Sequence, residues 1–476
     1  MIAPAARARR PIVPALGLAS LAAGLRVLPW HARPDGAAAW WLALSWDASA
    51  APAAALALGH GRASLALLSV FALAAAVMFG VLGPSRGRGR VVAALGLGGV
   101  AVALIQGFAV RGQAGMGVGA ALAVAGFLLL GAEGMAAAGA LRGDRFATVS
   151  LLAIALLVAL FVFLPLGRML GAAVLTADGG ASLSALWSRL TAEKIWTLAC
   201  LTSGRRCGVA WNTLLLAVLC ATGTTALGLA LALLVTRTAL PFRRVTRLIT
   251  ILPVVTPPFV IGLGIILICG RAGVVNAVLE QAFGVPPTRW IYGLPGLLLA
   301  QLFAFTPVAF LVLVGVVEGV SPTLEEAGQT LGARSGAVFR TVSLPLMAPG
   351  LANAFLVGFV ESIADFGNAL VLGGNYGVLA TEVYFALVGA QFDQGQAAAL
   401  AIILLGFAVG AFALQRRVVR GRAFTAFTGK GDPGIPAALP RGLVRLIVAV
   451  AVPWIAVTVI IYAMAVLGGF VEVWGR

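Results

Sequence analysis

Residues 325–350 read EEAGQTLGARSGAVFRTVSLPLMAPG. The stretch is polar and charged, yet apolar runs of roughly membrane length flank it on both sides. Its local chemistry predicts two short helices. Ser321 is suited to an N-cap and Pro322 to the first helical position, while Leu324, Ala327 and Leu331 share one side at helical spacing. Gly332 permits a tight or left-handed turn. Residues 333–344 then offer a second helix, with Val338, Phe339 and Val342 apolar; Pro345 is expected to stop it, and Pro349 precedes the next apolar run. Two short helices at an angle, held at a membrane surface, form a shape that docks into a groove on a soluble partner.

The flanking composition makes the membrane reading firm. The chain has 476 residues, 61% hydrophobic and 10% charged, against about 25% charged in soluble domains. Apolar runs near 11–30, 63–83, 91–110, 117–140, 148–171, 211–235, 248–270, 291–316, 349–372, 395–415 and 443–468 predict an all-α polytopic membrane protein of about eleven spans. The segment 37–59, with its tryptophan pair, Asp47 and Pro52, reads as interfacial. The arginine-rich MIAPAARARR start, followed by an apolar run without a clean cleavage site, reads as a retained first span with its N-terminus inside.

A net charge of +17 raises the question of nucleic acid. All 33 basic residues except Lys194 and Lys430 are arginine, and most sit in short loops between apolar runs, without aromatic interleaving. The positive-inside rule accounts for them and places 236–247, 317–348 and 416–442 in the cytoplasm. The loops 172–210, 271–290 and 373–394 are then external. Residues 1–146 form a four-span extension with few polar groups, and 147–415 form a core of six spans with larger loops. A basic linker covers 416–442; the last run, 443–476, resembles in kind the start of the core, as if a second repeat begins.

The spacing of the opening stretch resembles the EAA loop of permeases in the ATP-binding cassette importer superfamily: E-A-A, three residues, G, nine residues, I-x-L-P. The matching positions are Glu326, Ala327, Gly328, Gly332, Val342, Leu344 and Pro345, with Gly328 and Val342 as mild departures. WNTLLLAV (211–218), LPVVTPPFVIGLGI (252–265) and ESIADFGNALVLGG (361–374) bring the likeness closest to binding-protein-dependent ferric iron importers. The resemblance implies a type I importer core of six helices in a bacterial inner membrane. It also implies a cytoplasmic ATPase dimer seated on the EAA loop, with Glu326 and Gly332 central, a substrate-binding protein outside, and a second permease half. Fused relatives carry two EAA loops and this chain carries one, so it is expected to be a piece ending early in a second half. Importers of polyamine, thiamine, sulfate or phosphonate share this architecture.

The residues themselves narrow the chemistry. There is no G-x-x-x-x-G-K-[ST]; Gly429-Lys430 is followed by Gly431, so ATP and magnesium are expected on a partner chain, with no cofactor or metal held here. His31 and His60 lie near predicted interfaces, and no Cys/His metal spacing is present. Catalysis is not expected. Glu361, Asp365 and Asn368, at i, i+4 and i+7 in one predicted span, are candidates to line a path, and two acids suit a cation. Asn353 lies on the same broad side. Pro253, Pro257 and Pro258 interrupt another span and are gate candidates; Gln301, Thr306 and Pro307 are weaker ones. Glu361 and Asp365 are also what an ion-gradient-driven transporter would use, but that class has no need of the EAA spacing. Cys200 and Cys207 either pair as a disulfide in an external loop or stay as free thiols.

Overall fold

The computed structural model describes residues 12–26, 63–78, 85–108, 116–176, 180–202, 207–239, 241–389, 392–420, 437–468 and 470. The interfacial segment 37–59, His31, His60 and most of the linker 416–442 lie outside the described residues. Among those described, nine helical runs are long and apolar enough to cross a membrane, and the first two predicted spans are shorter apolar helices. The protein is an all-α, multi-pass membrane protein. No β-sheet forms among the described residues; one isolated antiparallel bridge joins Leu175 to Ala181.

The chain divides into two compact units, Met1–Leu166 and Gly167–Arg476. The first contains α1 (Ile12–Arg26), α2 (Ala63–Ala76), α3 (Arg86–Phe108), α4 (Val118–Ala137) and α5 (Arg145–Val158). In a membrane, apolar side chains gain little by leaving lipid, so helices associate by close packing of small residues. Here α4 is the hub: a Cβ added at Gly96 of α3 would collide with the backbone of Gly131, and one at Gly24 of α1 would sit 2.5 Å from the Gly119 carbonyl. Phe127 and Leu130 of α4 are fully buried with Leu21 and Leu68. Glu133 is buried in α4 and paired with Arg145 (3.1 Å).

The second unit is built on α7 (Val209–Arg237), α11 (Leu294–Glu318) and α13 (Leu344–Ala364), following the short α6 (Leu183–Leu190). Small residues again set the approach: a Cβ at Gly228 would lie 2.9 Å from the Phe310 amide nitrogen, and one at Gly358 would lie 2.6 Å from Thr224 Oγ1. Around this trio lie α8 (Arg243–Ile251), α9 (Pro258–Cys269), α10 (Val274–Phe283), α12 (Pro322–Thr330), α14 (Gly367–Leu372), α15 (Leu379–Val388) and α16 (Gln394–Val419). The last helix, α17 (Arg441–Gly468), packs on α7, α8 and α9. Trp454 stacks on Phe303 with ring centroids 3.8 Å apart, and Tyr462 shares a 2.6 Å hydrogen bond with Thr256.

Three expectations about element limits need correction. The span expected at 248–270 is broken: α8 ends at Ile251, a 3₁₀ turn covers Leu252–Val254, and α9 starts afresh at Pro258. Pro258 sits in the first turn, where its missing N–H costs nothing. Pro345 does not stop the second short helix. From Ser335 the chain runs as one helical span to Ala364 through a π-turn at Phe339–Ser343, in which Leu344 N–H donates to Phe339 O. That wider turn falls immediately before Pro345, where an α-helical donor is missing in any case. Finally, the span expected at 349–372 ends at Ala364, so Glu361, Asp365 and Asn368 do not share one continuous helical face.

Candidate functional site

The opening stretch folds into α12, a turn and the start of the 335–364 span. Ser321 holds the N-cap position in extended conformation, its hydroxyl 2.7 Å from that of Thr323, and Pro322 opens the helix. Gly332 adopts φ +83°. Around it Ala333 N–H donates to Gly328 O (3.1 Å) and Gly332 N–H to Gln329 O (2.9 Å). This is the paired closure that satisfies the last carbonyls of a helix around a left-handed residue.

The helix has two unlike sides. Leu324, Glu326, Ala327 and Gly332 are exposed, and Leu331 is 88% exposed. The apolar stripe predicted from spacing therefore faces outward. The inward side carries Pro322 and Glu325, both buried, followed by half-buried Gly328. An added Cβ at Gly328 would meet Val338 at 3.3 Å and Val342 at 3.8 Å, so Gly328 and Val342 serve the closure of the two segments on each other. Leu344 is half-buried and Pro345 exposed.

Glu325 was not singled out by sequence spacing, yet it is the polar centre of this end of the unit. Its Oε2 lies 2.7 Å from Arg237 Nη1 and accepts from Ala437 N–H at 2.8 Å. Its Oε1 accepts from Ser343 Oγ at 2.6 Å. Arg237, in the last turn of α7, also donates to Val317 O near the end of α11 (3.4 Å). Carboxylate and guanidinium are both nearly shut off from solvent. The sequence signal that points to them is weak: a glutamate pair of which one member sits at i+3 from Pro322, and an arginine closing a long apolar run.

A second polar cluster lies where α13 breaks. Asp365 is extended (ψ 101°) and 7% exposed. Its Oδ1 accepts from Asn368 N–H (3.1 Å), and its Oδ2 from Asn368 Nδ2 (3.0 Å) and from Gln301 Nε2 of α11 (3.0 Å). Ser362 Oγ donates to Gln301 Oε1 at 2.7 Å. Asp365 therefore starts α14 as a cap would, and the helix break follows from that substitution of side-chain for backbone acceptor. Asn368 is fully buried; its Oδ1 has no hydrogen-bond partner among the described residues and abuts Gly262 of α9, where a Cβ would lie 3.0 Å away. Among the described residues the ion pairs are those of Glu133, Glu325 and Glu382, so Asp365 has no cation beside it.

Of the other path candidates, Glu361 and Asn353 are exposed on α13, outside this cluster, and Pro257 and Pro258 are exposed at the start of α9. Thr306 and Pro307 are buried beside a small cavity of about 10 Å³ lined also by Thr250, Trp454 and Thr458.

At the opposite end of α7, Cys200 and Cys207 are joined as a disulfide, Cα–Cα 4.8 Å. The loop before α15 is tied to the start of α7. Asn212 Nδ2 donates to Gly377 O (3.0 Å), Tyr376 Oη donates to Asn212 O (2.9 Å), and Leu379 N–H donates to Thr213 Oγ1 (2.9 Å). Burial pushes the Tyr376 phenol up to about 12, so it stays a donor at any physiological pH.

Residues 224–423 match the family described as "Binding-protein-dependent transport system inner membrane component". The ferric transport system permease protein FbpB of Actinobacillus pleuropneumoniae is 35% identical over 335 residues, covering 70% of this chain and 47% of its own. A candidate ferric transport permease of Haemophilus influenzae is 35% identical over the same length, with 51% of its own chain covered. This chain thus spans about half the length of these two relatives. The molybdenum transport system permease protein ModB of Mycobacterium bovis is 31% identical over 231 residues, which cover 47% of this chain and 83% of that one. Among solved structures, a bacterial ABC transporter importing the acidic polysaccharide alginate aligns at 18% identity with a TM-score of 0.48, covering 58% of this chain and 96% of that one.

Proposed function

The chain belongs to the family of binding-protein-dependent transport inner membrane components, and on that premise we propose that it is the membrane-spanning permease of an ATP-driven importer, with ferric iron as its cargo. The observation that carries this reading is α12. A short helix between two spans presents Leu324, Glu326, Ala327 and Leu331 outward, fixed by the closure at Gly332. An apolar and acidic ridge of this size is a plug for a cleft in a soluble partner. In this reading the partner is the ATPase, which binds ATP and magnesium and seats α12 from the cytoplasmic side. A substrate-binding protein meets the disulfide-bearing loop and the loop around Tyr376 on the other side.

Iron is favoured over molybdate on two grounds. The ferric relatives match 70% of this chain, the molybdenum relative 47%. Moreover, among the described residues the buried Asp365 carboxylate is met by neutral donors alone, an environment suited to a cation and hostile to an oxyanion. The arrangement of chemistry is binding, gating and coupling, with hydrolysis left to the partner.

The test is uptake of labelled ferric iron and of labelled molybdate by cells holding the complete system, compared with the same cells carrying Glu326→Lys. Iron uptake lost in the variant, with the protein still in the membrane, supports cargo and coupling helix together. Molybdate uptake in place of iron overturns the cargo. Iron uptake untouched by Glu326→Lys removes α12 from the coupling role.

A further inference from the structure

Motion delivered to α12 must leave it through the inward side, since the outward side is committed to a partner in the reading above, on which this inference rests. The inward side holds one charged group, Glu325, 1% exposed. Its three hydrogen-bond partners lie on three different elements: Arg237 at the end of α7, Ser343 in the π-turn that opens the 335–364 span, and Ala437 just ahead of α17. Arg237 adds α11 through the Val317 carbonyl. One carboxylate thus joins α7, the 335–364 span and the segment leading into α17, and reaches α11 through Arg237, all at the same end.

We propose that Glu325, held by Arg237, is the positioning residue that passes displacement of α12 to the membrane helices, whereas Glu326 serves only the docking of the partner. Two physical arguments support the division. A buried ion pair adds little net stability over apolar side chains of similar size, because desolvation consumes the Coulomb gain. What it does supply is direction: charge-assisted hydrogen bonds are short and angle-dependent, so the groups they join move together. Arg237 is itself anchored, since a cation at the C-terminal end of α7 faces the carbonyl-rich pole of that helix and of α11. Ser343 is the arm that leads to the substrate path. The π-turn it occupies is a single wide turn, the kind of local register change that shifts with little cost, and α13 beyond it carries Glu361 and ends at Ala364, beside Asp365.

The experiment uses the assembled full-length system. It reads three quantities for wild type, Glu325→Gln, Ser343→Ala and Glu326→Lys: protein in the membrane, ATPase that copurifies, and ATP hydrolysed per labelled ferric ion imported (per molybdate, where the preceding experiment finds that cargo). Glu325→Gln keeps the shape and loses the charge. The expected result is that the ATPase still copurifies while ATP spent per ion rises about tenfold. Ser343→Ala leaves the ion pair and removes one arm; a smaller rise, about threefold, is expected. Glu326→Lys should lose the copurifying ATPase instead. An unchanged ATP-to-cargo ratio in both Glu325→Gln and Ser343→Ala, whatever the fall in protein level, marks Glu325 as merely structural and overturns the proposal. So does loss of the ATPase from Glu325→Gln, which would place Glu325 in docking. If Glu325→Gln does not reach the membrane, the ratio in Ser343→Ala decides. Wild-type protein that copurifies no ATPase overturns the importer reading and this inference with it.

Discussion

Glu325 and Asp365 are both carboxylates buried at the end of a helix in the second unit, and both are fully engaged, yet they are solved in opposite ways. Glu325 meets a guanidinium, a hydroxyl and a backbone amide. Asp365 meets two side-chain amides and a backbone amide, with no cation beside it among the described residues. The first arrangement sets a cation against the carboxylate and leaves only geometry; the second surrounds the carboxylate with neutral donors and supplies no counter-charge. Neutral donors stabilise an anion at the site but do not remove its field from the surroundings. In the function proposed above, the first arrangement serves as a joint and the second lines a cation path.

The sharpest way to break the comparison is to remove Arg237. Arg237→Ala leaves Glu325 buried with no counter-charge, and a loss of about 3–5 kcal/mol is expected, read as a steep fall in thermal stability in detergent. At Asp365 the corresponding change is Asp365→Leu, which strands the Gln301 and Asn368 donors at about 1–3 kcal/mol for each group left unpaired. Asp365→Asn keeps one acceptor and should be milder in stability, while cation uptake falls as far as in Asp365→Leu. Equal uptake in Asp365→Asn and wild type would mean that the field of Asp365 does not matter.

Smaller changes sharpen the packing around each site. Gly262→Ala drives a methyl to 3.0 Å from Asn368 Oδ1 and 3.5 Å from Leu372 Cδ1, both on α14, and should cost about 1–3 kcal/mol. Gly332→Ala meets nothing within 4 Å among the described residues but must keep φ +83°, so backbone strain alone is expected, about 1 kcal/mol. Gly328→Ala is predicted to be nearly neutral. Its methyl meets Val338 at 3.3 Å, an offset to the gain of roughly 1 kcal/mol from replacing glycine in a helix. A large effect there would mean that the contact between α12 and the start of the 335–364 span is tighter than the distances indicate. Thermal unfolding of each variant, with uptake measured in parallel, separates these outcomes.

Much of this was legible in the chain. The apolar runs and the arginine-bearing loops between them delivered the membrane class, because span length is set by bilayer thickness and read directly from composition. The α12 segment was recognisable by its spacing, and Pro322 and Gly332 took the positions their backbone chemistry dictates. The break at Asp365 was not legible: ESIADFGN reads as continuous helix until Gln301, 64 residues away, and Asn368 compete for the carboxylate. The continuity through Pro345 was missed for a local reason, since a π-turn has no sequence signature of its own.

The sequence by itself determined the membrane class, where the polar segment between two spans lies, and that Gly332 closes its first helix. Only the tertiary structure decided which of two adjacent glutamates turns inward. Glu325 and Glu326 are chemically identical, and helical periodicity separates them by direction without saying which direction is the interior. That was settled by Arg237, 88 positions earlier, and by the Ala437 amide, 112 positions later. They reach one carboxylate only because α7 and the segment leading into α17 end at the same place, and a buried charge takes the side where its partners are.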